Sequence, residues 1–169
     1  TQVNKKTIFD IITLLLDYGA NINHVGDLMA TAITSNDIDT LNFLINKGID
    51  LNAYGADFLC GGTPLCVAIC NNNKNILEFL IQNGADVNYY CENSDTALFC
   101  AIDNNSEEFV SILLRAGADP RLSNEDGIDA YQYARESGSD KIINLLEEHK
   151  YFLRENSKKF PEKKLNNLW

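Results

Sequence analysis

Histidine is nearly missing from this chain of 169 residues: there are two, His24 and His149. One is expected in a connecting segment and one in the last helix, so they form neither a base with an orienting partner nor a pair of metal ligands. No His-Glu-x-x-His, phosphate-binding glycine loop or nucleophile elbow occurs. The Gly61-Gly62 doublet reads as a turn before a helix rather than a phosphate cradle. Catalysis, cofactors and small-molecule substrates are therefore not expected, and the chain is read as a non-enzyme. Positive charge is also scarce, with 14 Lys and Arg against 24 Asp and Glu, a net charge of −10. Such a chain repels nucleic acid and anionic membrane surfaces and favours a basic protein partner. No apolar run approaches the roughly 20 residues of a membrane span. No signal-peptide pattern opens the chain, and the cysteines are odd in number, five in all, which together point to free thiols in the cytoplasm.

What is present is the composition of a folded domain, 45% hydrophobic and 22% charged, in a length that suits one domain. The charge is unevenly placed. From Tyr151 to Trp169, Arg154, Lys158, Lys159, Lys163 and Lys164 face only Glu155 and Glu162. The chain accordingly divides into a body, residues 1–150, and a basic tail, residues 151–169, read as a capping helix or the start of another segment. The chain begins at Thr1, which leaves room for a longer parent protein.

The body repeats itself. Asp17-Tyr18-Gly19-Ala20-Asn21-Ile22-Asn23 returns as Asn46-Lys47-Gly48-Ile49-Asp50-Leu51-Asn52, as Gln82-Asn83-Gly84-Ala85-Asp86-Val87-Asn88 and as Arg115-Ala116-Gly117-Ala118-Asp119-Pro120. A Leu-Leu or Leu-Ile pair precedes each Gly, and Gly after an apolar-periodic run marks a helix end, because Gly alone takes the left-handed conformation at little cost. A second landmark, Thr63-Pro64-Leu65-Cys66-Val67-Ala68, returns as Thr96-Ala97-Leu98-Phe99-Cys100-Ala101, and less closely from Asp27 and from Asp129. Thr or Asp there serves as an N-cap, with Pro64 in the first turn. From Asp27 to Gly48, Thr63 to Gly84 and Thr96 to Gly117 the spacing is constant, 21 residues, whereas from each Gly to the next cap it varies between 8 and 15. A block of fixed length joined by segments of variable length is the mark of stacked helical units. Nine residues after each cap stand Asn36, Asn72, Asn105 and Gly138, residue types suited to a left-handed turn between two helices. The expected core is Ala32, Leu65, Ala68, Leu98, Ala101 and Ala134 on first helices. On second helices it is Ile11, Leu14, Leu15, Leu41, Leu44, Leu77, Leu80, Phe109, Ile112, Leu113, Ile142, Leu145 and Leu146.

Thr-Pro-Leu-x-x-Ala followed by Leu-Leu-x-x-Gly-Ala-Asp-x-Asn resembles the ankyrin repeat. The resemblance spans about Thr7 to Lys150 and implies an all-α repeat solenoid of helix-turn-helix units with β-hairpin fingers. About five repeats are expected, at approximately 1–23, 24–52, 53–88, 89–121 and 122–150, with the terminal ones atypical. The first lacks most of its first helix, and the last has Lys150 where Gly is expected. The histidine usual in the family's pattern is absent, with Ala30, Cys66, Phe99 and Gln132 in its place. The resemblance further implies a monomeric protein-protein interaction scaffold whose concave face, made by the fingers and the exposed side of the first helices, binds another protein.

Mapped onto this chain, that surface contains the aromatic residues Tyr54, Phe58, Tyr89 and Tyr90, which turns do not require and which suit interface anchors. It also contains Asn93 and the carboxylates Asp57, Glu92, Asp95, Asp103, Glu125, Asp126 and Glu136, which suit a Lys- or Arg-rich segment. Asn52 and Asn88, each with a Leu eight residues before and an acidic-apolar pair just before, resemble sites of asparaginyl hydroxylation; the plainer reading is that they bond the finger backbone. Cys66 and Cys70 share a helix face, but no C-x₂-C spacing occurs, and cysteine as a small core residue accounts for them better than a metal site. Two alternatives stand beside the scaffold. One is a substrate-targeting arm of a larger enzyme. The other is a ubiquitin-ligase adaptor, from the F-box-like Phe160-Pro161-Glu162 with Leu165 and Leu168. Asn-rich ankyrin proteins of intracellular bacteria, large viruses and protozoa often act on host proteins, so a secreted effector working in a host cytosol also fits.

Overall fold

The computed structural model describes residues 4–21, 26–53, 62–91 and 95–159. Tyr54, Asp57, Phe58, Cys60, Glu92, Asn93, His24 and the segment 160–169 lie outside the described residues. Within them the chain forms nine helices, α1 (Lys5–Asp17), α2 (Gly26–Thr34), α3 (Ile38–Asn46), α4 (Pro64–Cys70), α5 (Lys74–Gln82), α6 (Ala97–Asp103), α7 (Glu107–Arg115), α8 (Ala130–Ser137) and α9 (Asp140–Lys159). From α2 onward they pair in antiparallel fashion, and each first helix packs on the next: α2 on α4, α4 on α6, α6 on α8. This is the all-α repeat solenoid that the spacing implies.

Local chemistry sets the helix starts. The Thr63 side chain accepts from the Cys66 N–H, with Pro64 at the first helical position, and Asp129 accepts from the Gln132 N–H. Thr96 makes no such cap bond. α2 begins at Gly26, so Asp27 lies inside its first turn rather than before it, a two-residue shift within the ordinary spread of helix ends. The second helices carry their own caps, Asp37, Asn73 and Ser106, each accepting from the N–H three residues on.

The turns between paired helices are left-handed where the spacing places them: Asn36, Asn72 and Asn105 have φ of 56°, 52° and 48°, and Gly138 has 75°. At the end of α5, Gly84 takes φ +96°, and the Ala85 N–H returns to the Leu80 carbonyl at 3.0 Å, closing the helix.

The core runs the length of the stack. Leu41, Leu44, Ala68, Leu77, Leu80, Ala101, Leu113, Ala134, Ile142 and Leu146 are wholly buried, while Leu145 is partly buried against the core. The first helix departs from expectation. Ile11, Leu14 and Leu15 are 51%, 55% and 54% exposed, and Ile12 is the buried residue of α1. Among the described residues α1 has no paired first helix to cover that face. It meets the rest of the fold through Phe9, stacked on Phe43 at 4.1 Å, and Lys5, paired with Asp37 at 2.7 Å.

The fingers are described only in part, residues 22–25, 54–61 and 92–94 lying outside the described residues. Among the described residues there is no strand, and the β-pairing is one isolated antiparallel bridge, Ser123 with Asp129. Asp50, Asp86 and Asp119 each begin a tight turn, the side chain accepting from the N–H two residues on. At the far end, Lys150 does not stop the chain as Gly would, and α9 continues to Lys159. Cys66, Cys91 and Cys100 are free thiols, whereas Cys70 is disulfide-bonded, which corrects the expectation of free thiols at that position. Among the described residues no helix is long and apolar enough to cross a membrane.

Candidate functional site

The face on which a partner is expected consists of the fingers and the C-terminal ends of the first helices. Asparagines hold the fingers in a row. The Asn52 side-chain oxygen accepts from the Asp86 N–H at 2.8 Å, and one repeat later the Asn88 oxygen accepts from the Asp119 N–H at 2.8 Å. The Asn88 amide nitrogen also donates to the Gly117 carbonyl at 3.1 Å. Each finger thus grips the backbone of the next, and the side chains that follow it are carried at fixed intervals.

Immediately beyond Asn88 come Tyr89 and Tyr90, 39% and 40% exposed. Asp95, half-buried at the foot of the same finger, has its carboxyl pushed up, first by burial, then by charge at Cys91 and at Asp103, with Glu125 adding and a hydrogen bond from Asn124 opposing. Asp95, Asp103 and Glu125 therefore lie in one electrostatic neighbourhood although they come from a finger, the end of α6 and the next finger. Asp103 is exposed and accepts a 2.6 Å hydrogen bond from the Tyr133 hydroxyl. That bond, then burial, then the Asp103 charge push the Tyr133 phenol above its ordinary range. Glu125 and Asp126 are exposed in the turn that Asn124 closes by accepting from the Asp126 and Ile128 N–H groups. Glu136, exposed near the end of α8, accepts from Gln132 at 2.9 Å.

Of the residues expected on this face, Tyr89, Tyr90, Asp95, Asp103, Glu125, Asp126 and Glu136 are described, and Asp95 feels the charges of Asp103 and Glu125. Asn52 and Asn88 bond finger to finger, the structural use that competes with modification. One contributor was missed. Tyr133 stacks edge-on against Phe99 at 5.2 Å while holding Asp103, and Asn104, a late position of α6, donates to the Ile69 carbonyl at 3.0 Å, tying α6 to α4. The register could have shown Tyr133, because Phe99 and Tyr133 occupy neighbouring positions of consecutive units, 34 residues apart, the same offset as Cys66 and Cys100.

Among known families, residues 28–124 match the one described as ankyrin repeats, in three copies. No curated protein matches the chain.

Proposed function

The chain belongs to the ankyrin repeat family, whose repeats generally mediate protein-protein interaction, and from that premise we propose that it is a non-catalytic scaffold binding a Lys- or Arg-rich protein segment on its concave face. The observations that support the reading are the exposure of Tyr89, Tyr90, Asp103, Glu125 and Asp126 on successive units, with the charges of Asp103 and Glu125 felt at Asp95. A carboxylate such as Asp95, whose proton affinity is raised by burial and then by neighbouring negative charge, gains from an incoming cation that relieves the repulsion. Exposed tyrosines add broad, stiff contact area and ring faces for a guanidinium or ammonium group.

The test is titration of the chain with fluorescent basic, neutral and acidic peptides at several salt concentrations. The basic peptide is expected to bind, and to weaken as salt rises. A D95N/D103N/E125Q variant of unchanged melting temperature should bind it roughly tenfold more weakly, from three partly exposed charge pairs. Binding that ignores both salt and the three substitutions overturns the reading. Asn52 and Asn88 are also proposed as acceptors for an asparaginyl hydroxylase. To enter such an enzyme Asn88 must release Gly117 and Asp119, and Asn52 must release Asp86. An intact mass that gains no oxygen atom on treatment would remove that proposal.

A further inference from the structure

Behind the acidic face, three thiols from three separate elements meet. Cys66 on α4 is wholly buried, Cys91 in the finger that precedes α6 is 5% exposed, and Cys100 on α6 is half-buried. The Cys66 sulfur lies 3.2 Å from that of Cys91 and 3.1 Å from that of Cys100, and all three sulfurs fall within 4.8 Å of one another. These separations are well beyond the about 2.05 Å of a disulfide, and all three cysteines are free. They are also closer than uncharged sulfur atoms sit when they merely pack.

Stacking does not ask for sulfur here. One repeat further on, the positions equivalent to Cys66 and Cys100 hold Phe99 and Tyr133 in ordinary edge-to-face contact at 5.2 Å. Cys91 is then supplied from a finger, 25 residues from Cys66, with its N–H donating to the Asp95 carbonyl at 2.7 Å. We propose that Cys66, Cys91 and Cys100 form a thiolate site for a soft metal ion, zinc in the first instance, which clamps the finger before α6 to two consecutive first helices.

The geometry and the chemistry of the donors agree. Thiolates select zinc or copper(I) over harder ions. A zinc ion about 2.3 Å from each sulfur sets the sulfurs about 3.8 Å apart, so the two short pairs need open by only about 0.6 Å. Three protein ligands leave a fourth position, on the half-buried Cys100 side, for solvent or another donor. The surroundings favour negative sulfur at one point of the trio. Cys91 is held below the ordinary thiol range by hydrogen bonds from Cys100 and Cys66, against burial, and the Thr63 hydroxyl also bonds to it. At Cys66 the bond with Cys100 lowers the pKa, but the contact with Cys91 and burial outweigh it and push the thiol up to about 12. Cys100 is raised by its contacts with Cys66 and Cys91 and by burial. A divalent ion replaces the remaining thiol protons and neutralises most of the charge, so its apparent affinity falls as the pH falls.

The experiment uses the full chain, expressed in zinc-supplemented medium, purified under reductant and measured for metal per chain. One zinc per chain is expected. Cys91→Ser and Cys100→Ser should lose it while keeping their helical circular dichroism, and Cys70→Ser should retain it. Cobalt(II) should give the near-ultraviolet thiolate-to-metal band in the parent chain and a weaker one in Cys100→Ser. Added zinc at a free concentration 100-fold above Kd should raise Tm by about 5–10 °C. Cys100 is partly exposed, so its variant tests the site even where Cys66→Ser does not fold. Copper(I) held in place of zinc supports the same site with a three-coordinate ion. No metal and no cobalt band in the reduced parent chain overturns the proposal. So does metal retained by both serine variants, or a metal-free chain in which peptide mapping finds a disulfide between two of the three thiols.

Discussion

Asn88 makes three hydrogen bonds at once, one to a side chain and two to backbone groups. Its N–H donates to the Asp86 side chain, its amide oxygen accepts from Asp119 and its amide nitrogen donates to Gly117. The last two bonds cross from one finger to the next, so Asn88→Ala should leave polar backbone groups short of partners and cost about 1–3 kcal/mol in urea denaturation. That such an asparagine matters was legible in the sequence, because Asn88 recurs in register with Asn52; which atoms it grips was not, since its partners lie 29 and 31 residues on. Asn36, Asn72 and Asn105 were fully legible, because a left-handed turn is a local demand that few residue types meet. His149 shows the reverse case. It is partly buried on α9, and burial lowers its pKa from the ordinary 6.5. The unfolded chain therefore takes up that proton at a higher pH than the folded one, and folding stability is lost as pH falls from above 6.5 through the folded value. His149→Gln should flatten this dependence in denaturation curves taken between about pH 7.5 and about pH 5.

Helices α1 and α6 show what an apolar pattern does and does not establish. Both carry apolar residues at helical spacing, Ile11, Leu14 and Leu15 on α1 and Leu98, Ala101 and Ile102 on α6. Leu98 on α6 is 1% exposed, packed between neighbouring units, whereas Leu14 on α1 is 55% exposed. Leu98→Ala should cost about 2–5 kcal/mol, the range for a buried leucine that leaves a cavity. Leu14→Ala should change stability by no more than about 0.5 kcal/mol, as at other surface positions. Equal losses at the two sites would contradict the burial assigned to α1. Periodicity reveals the apolar face of a helix, but not whether another element covers it. Asp50, Asp86 and Asp119, by contrast, form local turns that a sequence can signal by itself.

Across the whole molecule, each unit is stabilised by the units on either side. α4 to α7 have neighbours on both sides, joined by Lys74 with Glu108 at 2.6 Å and by Lys141 of α9 with Glu107 at 2.8 Å. α1 is held on one side, by the Phe9–Phe43 stack and the Lys5–Asp37 pair. Amide hydrogen exchange should therefore be slowest in α4 to α7 and fastest in α1, because opening α1 exposes little core that is not already wet. Protection in α1 equal to that in α6 would count against this gradient.

The sequence alone determined the helix pairs, their left-handed turns, the glycine endings and the solenoid they build, because each is a local requirement repeated at a fixed interval. Only the tertiary structure decided that Asp95, Asp103 and Glu125 share one field, that Tyr133 holds Asp103, and that Cys91 rather than Cys70 joins Cys66 and Cys100. Those meetings depend on how far one unit is displaced and rotated against the next. That displacement is set by side chains packing between the helices, and no spacing within a single repeat records it.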